Sequence, residues 1–266
     1  MNSRLKNALR KMLPRAVSRH RILGGPLRGQ VLVTSWHDYP AAILGRTERC
    51  LLQWFARNAR AGETWLDIGA HYGYTALALC RLVGGGGRVY AFEPMVATAG
   101  CASRIRALNG FPQLTVLPAA LGDCDDLKVQ SLPEVRGMVD STLPGGGFEE
   151  PFLVARLDWL WPRICGENPK IDGIKIDVQG MELEALAGMR ALLEQFQPKL
   201  VIEIHKGVSR PDLLRCLADV GYKSPGQPVE PAEDEIEPRY LDDRSYSFRT
   251  STQQTPCPGK THSQHK

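Results

Sequence analysis

Residues 64–80 read Thr64-Trp-Leu-Asp-Ile-Gly-Ala-His-Tyr-Gly-Tyr-Thr-Ala-Leu-Ala-Leu-Cys80. They pass from an apolar strand through a glycine-punctuated turn into an apolar helix. Asp67 stands at the strand end, and Gly69 and Gly73 bound the turn. Twenty residues past Gly73 a second strand, Arg88-Val-Tyr-Ala-Phe-Glu93, ends in another acid. Glycines let a backbone approach a ligand closely, and a strand-end carboxylate accepts hydrogen bonds from ribose hydroxyls. The two strands therefore read as a nucleoside socket.

The turn itself selects among nucleosides. Dinucleotide sites show G-x-G-x-x-G, which lays a pyrophosphate on a helix N-terminus. Here Gly69-Ala-His-Tyr-Gly73 has three residues between its glycines and no third glycine. Asp67 would repel a pyrophosphate but attract an ammonium or a sulfonium. S-adenosylmethionine (SAM) carries both cations and is the expected cofactor, with a nicotinamide or flavin nucleotide as its rival.

Around this motif the chain divides into a basic extension (1–48), an α/β domain (49–250) and a polar tail (251–266). The tail lacks aliphatic and aromatic side chains and is expected to be disordered. The extension reads as a basic helix followed by a hairpin-like segment from Ile22 to Glu48. In the domain, helices are expected at 47–60, 73–83, 95–108, 181–196 and 211–220. Strands are expected at 64–68, 88–93, 114–119, 173–178, 199–205 and 245–249, with short strands and loops over 121–151. Strands alternating with helices predict a mostly parallel sheet covered on both faces, with its ligand beyond the carboxyl ends of the strands. Those ends carry Asp67, Glu93, Asp177, Glu203 and His205. Charged residues are seldom buried without partners, so their convergence on one edge points to a site.

Composition narrows the setting. Nothing approaches the ~20 apolar residues of a membrane-spanning helix, and the N-terminus lacks the apolar segment of a signal peptide. The seven cysteines are scattered without a C-x-x-C pair, which argues against disulfides or zinc and for a reduced, cytoplasmic setting. Residues 1–37 hold eight Lys/Arg and no acid within a net charge of +4. That arm could touch an anionic membrane surface or nucleic acid, or pair with the seven acids of 230–243. No Asn/Asp-Pro-Pro-aromatic tetrad is present, and the sole Pro-Cys pair, Pro256-Cys257, lies in the tail. Base methylation of nucleic acid is therefore not expected.

Asp67-Ile-Gly-Ala-His-Tyr-Gly-Tyr-Thr75, Phe92-Glu-Pro94, Ala120-Leu-Gly-Asp123, Leu157-Asp158, Ile174-Lys-Ile-Asp-Val-Gln-Gly-Met-Glu182 and Glu203-Ile-His205 resemble the FkbM family of SAM-dependent methyltransferases, over roughly residues 45–206. The resemblance implies a Rossmann-like, doubly wound α/β fold of the class I methyltransferase type. It also implies O-methylation of a hydroxyl on a sugar or other small metabolite. His71 stands where that family usually has Asn, and Gln179 where it usually has Glu.

The site residues take roles on this basis. Asp67 orients the turn and balances the cofactor's charge, Gly69 and Gly73 admit its methionine backbone, and His71 is a further contact. Glu93 holds the ribose, and Asp123 lies near the adenine. His205 is the preferred catalytic base, Asp177 its competitor facing the methyl group, and Glu203 their neighbour. Lys175 is expected to pair with Glu203. Asp177, Glu203 and His205 could hold Mg²⁺, but the resemblance does not call for a metal and none is expected. Trp36, His37, Tyr39 and the 131–151 loop are candidate acceptor walls. The rival functions are an NAD(P)-dependent oxidoreductase and a non-catalytic SAM-binding protein.

Overall fold

The computed structural model describes residues 12–125, 127–135, 138–139, 149–230 and 238–251. A hairpin of β1 (Ser18–Arg21) and β2 (Val31–Thr34) leads through α1 (Pro40–Ile43) and α2 (Arg49–Asn58) to β3 (Thr64–Ile68). Then follow α3 (Tyr74–Val83), β4 (Arg88–Phe92), α4 (Val96–Asn109), β5 (Leu114–Leu117) and β6 (Ala120–Leu121). The chain continues with β7 (Lys128–Val135), β8 (Met138–Val139), β9 (Glu149–Ala155), α5 (Leu157–Ile164) and β10 (Gly173–Ile176). The last elements are α6 (Glu182–Ala187), α7 (Arg190–Phe196), β11 (Lys199–Ile204), α8 (Arg210–Asp219), β12 (Gln227–Pro228) and β13 (Arg244–Phe248).

Seven strands form the main sheet in the order β12-β13-β11-β10-β3-β4-β5. β11, β10, β3, β4 and β5 run parallel, while β13 is antiparallel to β11 and β12 to β13. Strand alternation splits the core between the two faces. Leu66, Ile68, Tyr90, Phe92, Ile174 and Ile176 meet α5 through α8 on one face. Trp65, Val89, Ala91 and Val201 meet α2, α3 and α4 on the other. Since both faces are covered, β3 and β10 are buried at every position, as parallel strands usually are. The strand order reverses between β3 and β10, and a crevice opens there at the strands' carboxyl ends.

The N-terminal hairpin lies over the second of these cores: Ile22, Leu27, Leu32 and Val33 share one cluster with Phe55 and Leu77. Asn109 at the end of α4 bonds both polar groups of Val31, accepting from its N–H at 2.7 Å and donating to its carbonyl at 2.8 Å. Because Ser18–Arg21 is a strand, the expected basic helix cannot extend through it. Its residues 1–11, and the tail from 252, lie outside the described residues.

Several expectations need correction. The third strand stops at Leu117 because Pro118 has no N–H to continue the ladder. β6 then leaves for a separate sheet of order β6-β9-β7-β8, where loops and short strands were expected. The helix α5 was not foreseen. The expected helix 181–196 is two helices, separated by Gly188-Met189. A Cβ on Gly188 would meet the carbonyl oxygen of Gly122 at 2.2 Å, so the loop after β6 packs directly on the break. Asp158 bridges that break. Its N–H donates to the Gly188 carbonyl at 3.0 Å, and its carboxylate accepts from Ala191 and Leu192 N–H, both at 3.0 Å. This is an N-cap supplied from another helix. Asp158→Ala is expected to cost about 0.5–2 kcal/mol, the usual value of a lost cap, measured by urea denaturation; an unchanged midpoint would show that the cap is redundant.

Among the described residues no helix is long and apolar enough to cross a membrane.

Candidate active site

At the crevice lies a cavity of about 280 Å³. The ends of β3, β4 and β10 and the segments around Tyr39, Ala120 and Gln179 line it. Gly69 makes the approach of two strands possible: at φ +77°, a Cβ there would lie 1.7 Å from the Asp177 carbonyl oxygen. The turn's first amides are already engaged, since Gly69 and Ala70 N–H both donate to the Phe92 carbonyl at 2.9 Å. They do not offer the open cradle a pyrophosphate requires.

Glu93 lies on the cavity wall and is 4% exposed. It accepts from His71 N–H at 2.7 Å and Met95 N–H at 3.0 Å. Burial pushes its carboxyl up to about 7, against the pull of those two N–H groups and of Lys175. The apolar wall is made by Ile68, Phe92, Ala119, Ala120 and Leu121. This combination fits a nucleoside: apolar side chains for the base, and a carboxylate with spare lone pairs for ribose hydroxyls.

Other sequence-predicted residues sit differently. Asp67 is fully buried behind the wall, accepting from Thr75 Oγ1 at 2.6 Å, with Lys175 Nζ 3.1 Å from its Oδ1. Its charge is balanced inside the protein. Gly73 caps α3 at φ +81° and faces Ile105 and Ala102 rather than the cavity. Asp123 binds Arg156 at 2.7 Å, and the cavity wall near it is Ala120 and Leu121. Lys175 pairs with Asp67 and, at 3.3 Å, with Asp177 instead of Glu203, and donates to the Gly69 carbonyl at 2.8 Å. Of the candidate acceptor walls, Tyr39 lines this cavity, whereas Trp36 and His37 do not. Part of 131–151 lies outside the described residues.

Asp177, Glu203 and His205 do converge, with ligating atoms all within 4.8 Å. His205 Nε2 is 3.5 Å from Asp177 Oδ1 and 3.7 Å from Glu203 Oε1. Asp177 and Glu203 line the cavity, while His205 stands behind them, 4% exposed. The Nδ1 atom of its ring meets the buried Glu182 Oε1 at 2.5 Å, and Nε2 meets the Gln179 side-chain nitrogen at 2.9 Å. Burial alone would lower the imidazole's pKa; the Glu182 hydrogen bond and the charges of Asp177, Glu182 and Glu203 outweigh it and raise it to about 9. The Asp177 charge, then burial, pushes the Glu203 carboxyl up to about 8. Burial opposes ionisation of Asp177, but Lys175 and His205 prevail and hold it below the usual range.

Sequence reading missed Glu48. It lines the same cavity, and its pKa is raised by burial and then by the Asp177 charge. Glu48, His71 and Gln179 all hold left-handed backbone, at φ +54°, +50° and +52°, and backbone strain of this kind concentrates at functional sites. No strand or helix period carries Glu48 to the site: it precedes the first strand of the main sheet and reaches the cavity only through tertiary folding.

Residues 67–224 match the Methyltransferase FkbM domain. The chain belongs to the FkbM methyltransferase family. Its cofactor is accordingly SAM. Over 177 residues this FkbM chain is 33% identical to the hexuronic acid methyltransferase AglP of Haloferax volcanii, covering 65% of the chain and 69% of AglP. Methyltransferase FkbM from Methylobacillus flagellatus superposes with a TM-score of 0.48 at 18% identity; the alignment covers 78% of this chain but only about half, 52%, of that one. Fibrillarin from Aeropyrum pernix, solved with natively bound SAM, gives a TM-score of 0.47 at 13% identity over 89% of each chain.

Proposed function

We propose that this FkbM methyltransferase O-methylates a hydroxyl of a sugar, with Glu203 as general base. The observation that carries the reading is the placement of Glu203: it lines the cofactor cavity, and its pKa is raised to about 8 by Asp177 and burial. A general base works best when its pKa lies near the working pH. The sugar is supported by the hexuronic acid named for AglP.

When bound, SAM supplies an electrophilic methyl carbon on a sulfonium sulfur. Glu93 would hold its ribose, Ala120 and Leu121 its base, and Asp177 its cationic end. Glu203 takes the acceptor hydroxyl proton. Holding acceptor and donor in line is itself worth ~7–11 kcal/mol of the barrier. His205 acts as a positioning residue. When neutral, its Nε2 lone pair faces the Gln179 amide; when protonated, it has none. Its pKa of about 9 keeps it protonated near neutral pH, and the cation at Nε2 then steadies the Asp177 and Glu203 carboxylates 3.5 and 3.7 Å away. A reduced, cytoplasmic setting fits the six described cysteines, all free.

The test is release of S-adenosylhomocysteine (SAH) when the purified chain is given SAM and a panel of sugars, with NAD(P) as the rival cofactor. Binding of NAD(P) in preference to SAM would overturn the reading. So would SAM binding without turnover on any hydroxyl compound.

The ribose role makes its own prediction. Glu93→Ala is expected to weaken SAM binding about 10–100-fold, the range for hydrogen bonds to a charged acceptor. In the wild type, affinity falls as pH drops through about 7, because the protonated carboxyl is a poorer acceptor for two hydroxyls. Isothermal titration of the variant, and of the wild type across pH, checks both; a flat pH profile would remove Glu93 from the contact.

A further inference from the structure

A second cavity, of about 370 Å³, adjoins the first. The two share Glu48 and Glu203 in their walls. Neither Gly69 nor Glu93 reaches the second one, so it is no part of the cofactor slot. The first cavity, at about 280 Å³, falls just below the ~300–1,000 Å³ usual for ligand pockets and has little room beyond the cofactor. An acceptor must therefore reach the cofactor from outside it, and the common wall leads into the second cavity.

That cavity is charged. Arg46, Arg49 and Arg244 line it together with Glu230 and Asp243. Arg244 is engaged: it donates to the Glu230 carbonyl at 3.0 Å and stands 4.0 Å from the Glu230 carboxylate. Arg46 and Arg49 are not. Among the described residues, neither guanidinium has an ion-pair or hydrogen-bond partner, and both are exposed. A guanidinium offers a rigid fork of donors and no acceptor, and its best partner is a bidentate oxyanion.

We infer that the second cavity is the acceptor subsite and that it takes an anionic sugar. The sugar's hydroxyls point to the Glu48–Glu203 wall, and its carboxylate or phosphate lies on Arg46 and Arg49. This rests on the methyl-transfer reading above and adds the chemical class of the acceptor and the residues that select it. The wall carboxylates would repel an anion placed directly against them. The charged group is therefore kept on the arginine side, which fixes the hydroxyl that faces Glu203.

The experiment is titration of three sugars into the full chain saturated with SAH: methyl β-D-glucuronide, glucose 6-phosphate and the neutral methyl β-D-glucoside. At least one anionic sugar is expected to bind about tenfold or more tighter than the neutral one, the scale of one charge-assisted contact. The double variant Arg46→Gln/Arg49→Gln should erase that preference and leave SAH affinity unchanged. Which anionic sugar wins separates a carboxylate from a phosphate source. Equal binding of neutral and anionic sugars, no binding of any, or a preference that survives in the double variant would overturn the subsite. Turnover is read separately. Methylation of neutral sugars that the double variant leaves untouched removes the subsite and keeps the methyl-transfer reading. Binding through the two arginines with no SAH release from any sugar does the reverse.

Discussion

Replacing Glu203 by glutamine is expected to lower kcat by about 10²–10⁴, the usual worth of a positioned base, while SAM affinity changes little. Glutamine keeps the shape and the hydrogen-bonding reach of the side chain but cannot accept a proton. The wild type adds a pH signature. Glu203 acts only when ionised, so kcat/KM should rise with pH and level off above about 8. Asp177 cannot produce that limb, because Lys175 and His205 hold it ionised well below neutrality. His205 supplies the contrast. If the imidazole were the base, His205→Gln would abolish turnover and Glu203→Gln would be mild. With Glu203 as base, His205→Gln leaves measurable turnover but moves the limb to higher pH, because the nearby positive charge that lowers the Glu203 pKa has gone. A single-turnover assay of both variants across pH decides between them.

The edge chemistry was legible in the sequence because parallel strands repeat a simple rule. Each apolar run ends where the backbone leaves the sheet, and Asp67, Glu93, Asp177 and Glu203 stand at those ends. What the rule does not give is which way each end faces. Asp67 falls one residue short of the end of β3, so pleat alternation turns it inward to Lys175 and Thr75. Glu93 lies one residue past β4 and reaches the cavity. The same alternation sends Lys175 to Asp67, its register partner on β3, and not to Glu203. Glu48 was invisible for a different reason: no strand or helix period carries it to the site. The break at Gly188 was invisible because the apolar spacing of 181–196 is helical throughout. Only the Gly122 carbonyl packed on it and the Asp158 cap show why two helices fit better than one. Gln179, where the family usually has Glu, places an amide between His205 and Asp177, at 2.9 and 3.5 Å. A glutamate there would add a further negative charge to an edge already crowded with carboxylates.

Lys175 governs whether that crowding is tolerable, and Lys175→Met is expected to be the most destabilising single change at the site. Its side chain is 4% exposed, and its ammonium lies between Asp67 and Asp177. Burial alone would drive it neutral, but the two carboxylates outweigh that and raise its pKa. Methionine matches the length of the side chain and fills the space, so the loss is electrostatic. Removing one partner of a buried ion pair costs about 3–5 kcal/mol, because the remaining charge is left uncompensated. In a chain of this size that corresponds to a Tm lower by roughly 10 °C. The pH dependence distinguishes this from a packing defect. In the wild type the folded-state pKa of Asp177 is lowered, so its contribution is present above the unfolded pKa and lost as pH falls. In the variant only the imidazoles still oppose the burial of Asp177, and its folded-state pKa should rise above its unfolded value. Acidification then protonates the folded state preferentially and stabilises it. The gap in Tm between the two proteins should therefore narrow from about pH 8 to about pH 5. A gap that stays constant across that range in thermal melts would mean that the lysine contributes through packing, and that the carboxylates around it were never in need of its charge.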